Sequence, residues 1–164
     1  MGRLPTATLA LVFAASAAYA LAQAPTTKPG TPLPSAAARK LTYPPIPNPG
    51  FAPARPIDQA RAVYQFAAEH PEVLKYVPCY CGCEANGHGH NESCFVKRRD
   101  AQGNVAEWDS HGFGCAICID VARDAMMMHR SGADPVAIRA SIEKKWTPSH
   151  STKTPTPNPP PKKK

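Results

Sequence analysis

The chain has 164 residues, 43% of them apolar and 19% charged, with 20 prolines and a formal net charge of +7. That excess does not describe a nucleic-acid surface: residues 57–147 hold all 12 acidic residues and ten basic ones, and the other nine Lys and Arg lie toward the two ends. After residue 22 there is no apolar run long enough to cross a bilayer, so no membrane span is expected beyond the N-terminal segment.

Arg3 precedes an Ala- and Leu-rich run from Thr6 to Ala22, and Ala20-Leu21-Ala22 puts small residues where a signal peptidase reads them. Residues 1–22 are therefore expected to be a signal peptide and the protein to be exported, periplasmic or secreted. If uncut, the same segment would tether it to a membrane. Residues 23–56 contain ten prolines and are expected to be a disordered linker, because proline donates no N–H and favours extended polyproline II.

Residues 57–147 read as one Cys-rich domain. Ile57–Glu69 places Ala60, Val63, Tyr64, Ala67 and Ala68 at helical spacing, between Pro56 and Pro71. Glu72–Tyr76 suggests a short turn before Pro78. Cys79 to Cys94 has no periodicity and reads as a long Cys/His loop, and Asp100–Asn104 is a turn that would fold Phe95–Trp108 into a short β-hairpin. Cys115–Arg130 is helical with Gly132 as its stop. Asp134 caps a last helix with Pro135 at its first position and Ile138, Ile142 and Trp146 along one stripe. Residues 148–164, rich in Pro and Lys, are expected to be a disordered tail. The expected fold class is thus mainly α: a small Cys-rich helical domain with a long loop and a hairpin, flanked by disordered Pro-rich segments.

All six cysteines, Cys79, Cys81, Cys83, Cys94, Cys115 and Cys118, lie in one window of this domain. Outside the cytoplasm bare thiols do not last, so the set is a disulfide framework, a metal site or a redox centre. Residues i and i+2 point apart in extended chain, so disulfides would pair Cys79, Cys81 and Cys83 with Cys94, Cys115 and Cys118. A metal site would use Gly82 to bend the loop and the Cys115/Cys118 pair on one helical face, with His111 and His88 as imidazole donors. Such donors suit Zn²⁺ or Cu(I), and six sulfurs exceed one tetrahedral ion. The redox reading rests on Cys-x-x-Cys at a helix N-terminus, where the dipole lowers a thiol pKa, but no βαβ pattern surrounds it.

His90 accompanies His88 in the loop. Met126, Met127, Met128 and His129 resemble a copper-binding run, yet His129 lies about 16 Å along the helix from Cys118 and cannot share its ion. Met126 reads as core. No Ser/His/Asp elbow, paired acid and nucleophile, or phosphate loop is present, so the chain is not expected to be an enzyme unless by thiol redox chemistry.

Tyr76-Val77-Pro78-Cys79-Tyr80-Cys81-Gly82-Cys83, Gly87-His88, Cys94-Phe95-Val96, Trp108-Asp109-Ser110-His111-Gly112 and Cys115-Ala116-Ile117-Cys118 resemble the PCYCGC motif-containing family. The likeness covers residues 57–155 and extends into Pro155-Thr156-Pro157. It implies an exported bacterial domain, many of whose relatives are lipoproteins, and supplies no substrate. This chain has no cysteine for lipidation near its signal.

Overall fold

A computed structural model describes residues 40–161; the expected signal peptide and residues 23–39 of the expected linker lie outside the described residues. Helix α1, Ile57–Glu69, forms where the apolar spacing places it, and its buried face includes Phe66 beside Ala60, Val63, Tyr64, Ala67 and Ala68. His70 closes it by donating its N–H to the Phe66 carbonyl, and Pro71 then opens a four-residue helix, α2, Pro71–Leu74. Proline at the first helical position loses nothing, since that N–H has no helical partner. The expected turn over 72–76 is thus a helical turn one residue earlier.

Strands β1, Val96–Arg99, and β2, Val105–Trp108, pair antiparallel with Val96 opposite Trp108 and Arg99 opposite Val105. Asp100 Oδ1 accepts the N–H groups of Gln102 and Asn104 and holds the turn between them. A short helix, α3, His111–Gly114, precedes α4, Ala116–Arg130, and α5, Pro135–Trp146, follows. Asp134 caps α5 through the Ala137 N–H, as its spacing predicts. Helix α4 is the centre of the domain and packs on α1, α2, α3 and α5. Beside it, Tyr64 stacks on Phe113 with ring centroids 4.1 Å apart, meets Phe95 edge-on at 5.2 Å, and donates its hydroxyl to the Asp109 carbonyl at 2.6 Å. Burying such side chains contributes about 1.5–3 kcal/mol each. No described helix is long and apolar enough to cross a membrane.

The expectation of disorder on both sides fails over residues 40–56 and 148–161. The N-terminal strap is held by bonds to the folded body: the Val105 N–H donates to the Thr42 carbonyl, Trp108 Nε1 to the Pro44 carbonyl, and the Ala54 N–H to the Phe113 carbonyl. Tyr43 packs edge-on against Trp108 at 5.8 Å. The C-terminal strap buries Thr154 and Thr156. Arg139, on α5, donates to the carbonyls of Tyr76, Thr156 and Pro157 and clamps that strap to the body. Proline-rich chain cannot form ladders of its own, but its stiffness lowers the entropy lost when neighbours accept and donate for it.

Candidate metal centre

The loop Pro78–Cys83 is positioned from three sides. Tyr80 is buried and its hydroxyl contacts Thr147 Oγ1 at 3.3 Å, which anchors the loop to the end of α5. Gly82 has φ +75°, a left-handed turn that L side chains disfavour, and it folds the chain back on itself. Thr154 pairs with Cys79 in both directions: its N–H donates to the Cys79 carbonyl at 3.0 Å, and its Oγ1 accepts the Cys79 N–H at 2.9 Å. Cys94 ends a 3₁₀ turn, Asn91–Cys94, whose Asn91 donates Nδ2–H to the Cys118 carbonyl at 3.2 Å. Gly112 lets α3 approach this turn, since a Cβ there would lie 2.5 Å from the Phe95 ring and 2.7 Å from the Cys94 carbonyl oxygen. Cys115 is the cap of α4: its Sγ accepts the Cys118 N–H at 3.3 Å.

These supports bring all six cysteines, His88 and His111 to one place. Cys79 Sγ lies 3.2 Å from Cys81, 3.0 Å from Cys83, 3.6 Å from Cys94 and 3.7 Å from Cys118. Cys118 is 3.4 Å from Cys81 and 3.1 Å from Cys94. No disulfide is formed, and all six thiols are free. A disulfide needs its sulfurs about 2.05 Å apart, whereas two thiolates on one tetrahedral ion stand about 3.8 Å apart, given metal–sulfur bonds of about 2.3 Å. The observed spacings lie nearer the second value. The expectation that Cys79 and Cys81 point apart does not hold, because the loop is turned rather than extended.

The donors fall into overlapping groups within 4.8 Å, among them Cys79/Cys81/Cys83, Cys79/Cys94/Cys118 and Cys83/His88/His111, and one partition of them gives two sets. Cys81, His111, Cys115 and Cys118 offer ligand atoms within 4.8 Å of one another. The other three sulfurs, Cys79, Cys83 and Cys94, are 3.0–3.8 Å apart. His88 Nδ1 stands 3.5 Å from Cys94 Sγ, and His88 also falls within 4.8 Å of Cys83. Each set is three sulfurs and one imidazole, a donor combination common for Zn²⁺. The close contacts between sets allow shared sulfurs as well, the arrangement of a thiolate cluster.

Around these donors lies a shell that orients them. His88 Nε2 faces Asp109 Oδ2 at 3.5 Å, and Asp109 Oδ1 accepts the His111 N–H at 2.7 Å. A carboxylate behind an imidazole is the usual companion of a metal-binding histidine. His111 Nε2 is buried with no hydrogen-bond partner, and in the tautomer protonated at Nδ1 it offers a lone pair that an ion would satisfy. His90 is not part of the group; it contacts Ser93 Oγ at 3.1 Å.

The thiols divide their protons unevenly. Contacts with Cys118 and Cys81 bring Cys79 down to about 4, and contacts with Cys118 and Cys79 bring Cys83 down to about 3. Cys81 is also lowered, by Cys115 and Cys118. At Cys94 the contact with Cys118 lowers the pKa, but Cys79, Cys81, Cys83 and burial outweigh it and raise it. Cys118 is raised by Cys115 and the loop sulfurs. At Cys115 contact with Cys118 lowers, while Cys81 and burial raise it to about 11. At Cys115 the Cys81 sulfur and burial thus work against the helix dipole. Burial lowers the His111 pKa, but Cys81, Cys83 and Asp109 together raise it.

Sequence reasoning missed Thr154 and Asp109. The Thr-Pro-Thr-Pro pattern around Thr154 reads as tail because its partner, Cys79, is 75 residues away. Asp109 had a signal, standing two residues before His111.

No curated protein matches the chain, and no solved structure does. A family model described as a protein of unknown function with PCYCGC motif matches residues 49–159, which take in part of each strap as well as every cysteine and histidine of the centre. The chain belongs to that PCYCGC family.

Proposed function

We propose that this is an exported metal-binding protein whose six cysteines, with His88 and His111, hold two ions of Zn²⁺ or Cu(I) for storage, delivery or resistance. The observation that carries the reading is the convergence of eight soft or borderline donors, no disulfide among them, into two three-sulfur, one-imidazole sets. Thiolate and imidazole ligands suit these d¹⁰ ions and disfavour Mg²⁺ and Ca²⁺. Four donors per ion close the coordination shell, which favours retention over catalysis. Cys81 and Cys115, the two cysteines that are partly exposed, are the ones an acceptor would reach first.

Native mass spectrometry of protein taken from its own export compartment tests this. The expected spectrum shows two metal ions per chain and six reduced cysteines. A chain that carries no metal and takes up neither Zn²⁺ nor Cu(I) under reducing conditions would falsify it. A second reading is a disulfide-stapled module, favoured by the closest sulfur pairs, Cys79–Cys83 at 3.0 Å and Cys94–Cys118 at 3.1 Å. It predicts a metal-free chain lighter by two protons for each bridge formed.

A further inference from the structure

We propose that His70, Glu72 and His129 form a second metal site, for a borderline divalent ion such as Zn²⁺, Ni²⁺ or Co²⁺, independent of the thiolate centre. Pro71 ends α1 and starts α2, so His70 stands at the junction and Glu72 in the first turn that follows. Helix α4 packs on both and brings its last-turn His129 alongside. One ligand atom from each of the three residues falls within 4.8 Å of the others. The two imidazole rings are 4.3 Å apart between centroids, and Phe66 supports both, at 4.9 and 5.6 Å. They border an open cleft of about 120 Å³ that also touches Gln65, Glu69 and Arg130.

The chemistry separates this group from the thiolate centre. It has no sulfur, and two imidazoles with one carboxylate suit Zn²⁺, Ni²⁺ or Co²⁺ rather than Cu(I). Neighbouring ligands on one tetrahedral ion stand about 3.4 Å apart, given bonds of about 2.1 Å, so closure from within 4.8 Å needs side-chain shifts of about an ångström. His70 and Glu72 have side chains 32% and 56% exposed, so an ion reaches them from solvent without unfolding. Their present contact, His70 Nδ1 to Glu72 Oε1 at 2.9 Å, already aligns carboxylate and imidazole. Three protein ligands leave a coordination position open, the mark of an exchangeable site rather than a closed one. Glu69, at the cleft, has its Oε1 held by Tyr43 and Gln65. Arg130 opposes a cation at the rim, and Glu69 offsets it. His129 lies eleven residues, about 16 Å, beyond Cys118 along α4, so the two sites cannot share an ion.

The test uses the full chain, loaded anaerobically with Cu(I) and then titrated with Co²⁺ while the histidine ring signals are followed by NMR. Paramagnetic shifts at His70 and His129, but not at His88 or His111, with one added cobalt in the native mass spectrum, are expected. His129→Ala and the milder His70→Gln should lose that cobalt while keeping their Cu(I) content and helical circular dichroism. Unshifted His70 and His129 rings, or a His70→Gln chain that binds cobalt as the wild type does, overturn the proposal. The ring signals report on these residues whether or not Cu(I) is taken up, so failure of the thiolate reading appears separately, as absent Cu(I).

Discussion

Thr154→Val isolates what the C-terminal strap does for the metal centre. Valine keeps the shape of threonine but removes the hydroxyl that accepts the Cys79 N–H at 2.9 Å. Thr154 is only 3% exposed, so water does not replace the lost acceptor. The Thr154 N–H still donates to the Cys79 carbonyl, and Thr156 Oγ1 still donates to the Gly89 carbonyl at 2.7 Å. The damage is one orphaned buried donor and one lost hydroxyl–hydroxyl bond, Thr154 Oγ1 to Thr156 Oγ1 at 2.8 Å, and it costs about 1–3 kcal/mol, most of it from the orphaned donor. At roughly 4 °C per kcal/mol for a folded body of this size, Tm falls by about 4–12 °C. Differential scanning calorimetry of reduced, metal-free protein measures this. Cys79 also carries a sulfur at the middle of the cluster, so loosening its backbone lowers metal affinity by about 10–100-fold, the range seen for outer partners of metal ligands. Competition against a coloured chelator reads that second effect. A mutant whose Tm stays within about 1 °C of wild type refutes the reasoning, because the strap would then not hold Cys79.

Asp109→Asn keeps the acceptor for the His111 N–H but removes the charge facing His88 Nε2; metal affinity should fall by about tenfold with little loss of helix, and an unchanged affinity would show that the carboxylate does not orient His88. Gly112→Ala places a methyl group against the Phe95 ring and the Cys94 carbonyl, so calorimetry should show a loss of about 1–3 kcal/mol. The metal centre is also pH-dependent. Cys94, Cys115 and Cys118 have raised pKa values and keep their protons near neutral pH, while Cys79 and Cys83, at about 4 and 3, are already thiolates. Loading must displace the retained protons, so affinity increases as pH rises, and acid should be released on loading in a lightly buffered titration. Metal uptake without acid release would contradict that assignment.

Much of the architecture was legible in local pattern. The α1 boundaries follow from five apolar residues at helical spacing between two prolines, and α5 from Asp134 and Pro135, because caps and periodicity act within a few residues. The hairpin followed from Asp100–Asn104, whose side-chain bonds are local. Cys115, the expected first residue of this helix, stands one residue outside the observed α4, because its sulfur caps the helix rather than joining it.

Other features could not be read this way. The straps look unfoldable in isolation, and only the carbonyls and N–H groups of distant elements order them. The same limit hid Thr154 behind Cys79. His70, Glu72 and His129 escaped notice as a group because the chain separates His129 from the other two by more than fifty residues. The inventory of thiols, their restriction to residues 79–118 and the bend available at Gly82 belong to the sequence alone, since composition and a glycine's backbone freedom need no partner. Which sulfurs meet, which histidine joins them and which thiols keep their protons were decided by the tertiary structure. Those properties depend on distances of 3–4 Å between segments up to 39 residues apart, and only packing around α4 sets them.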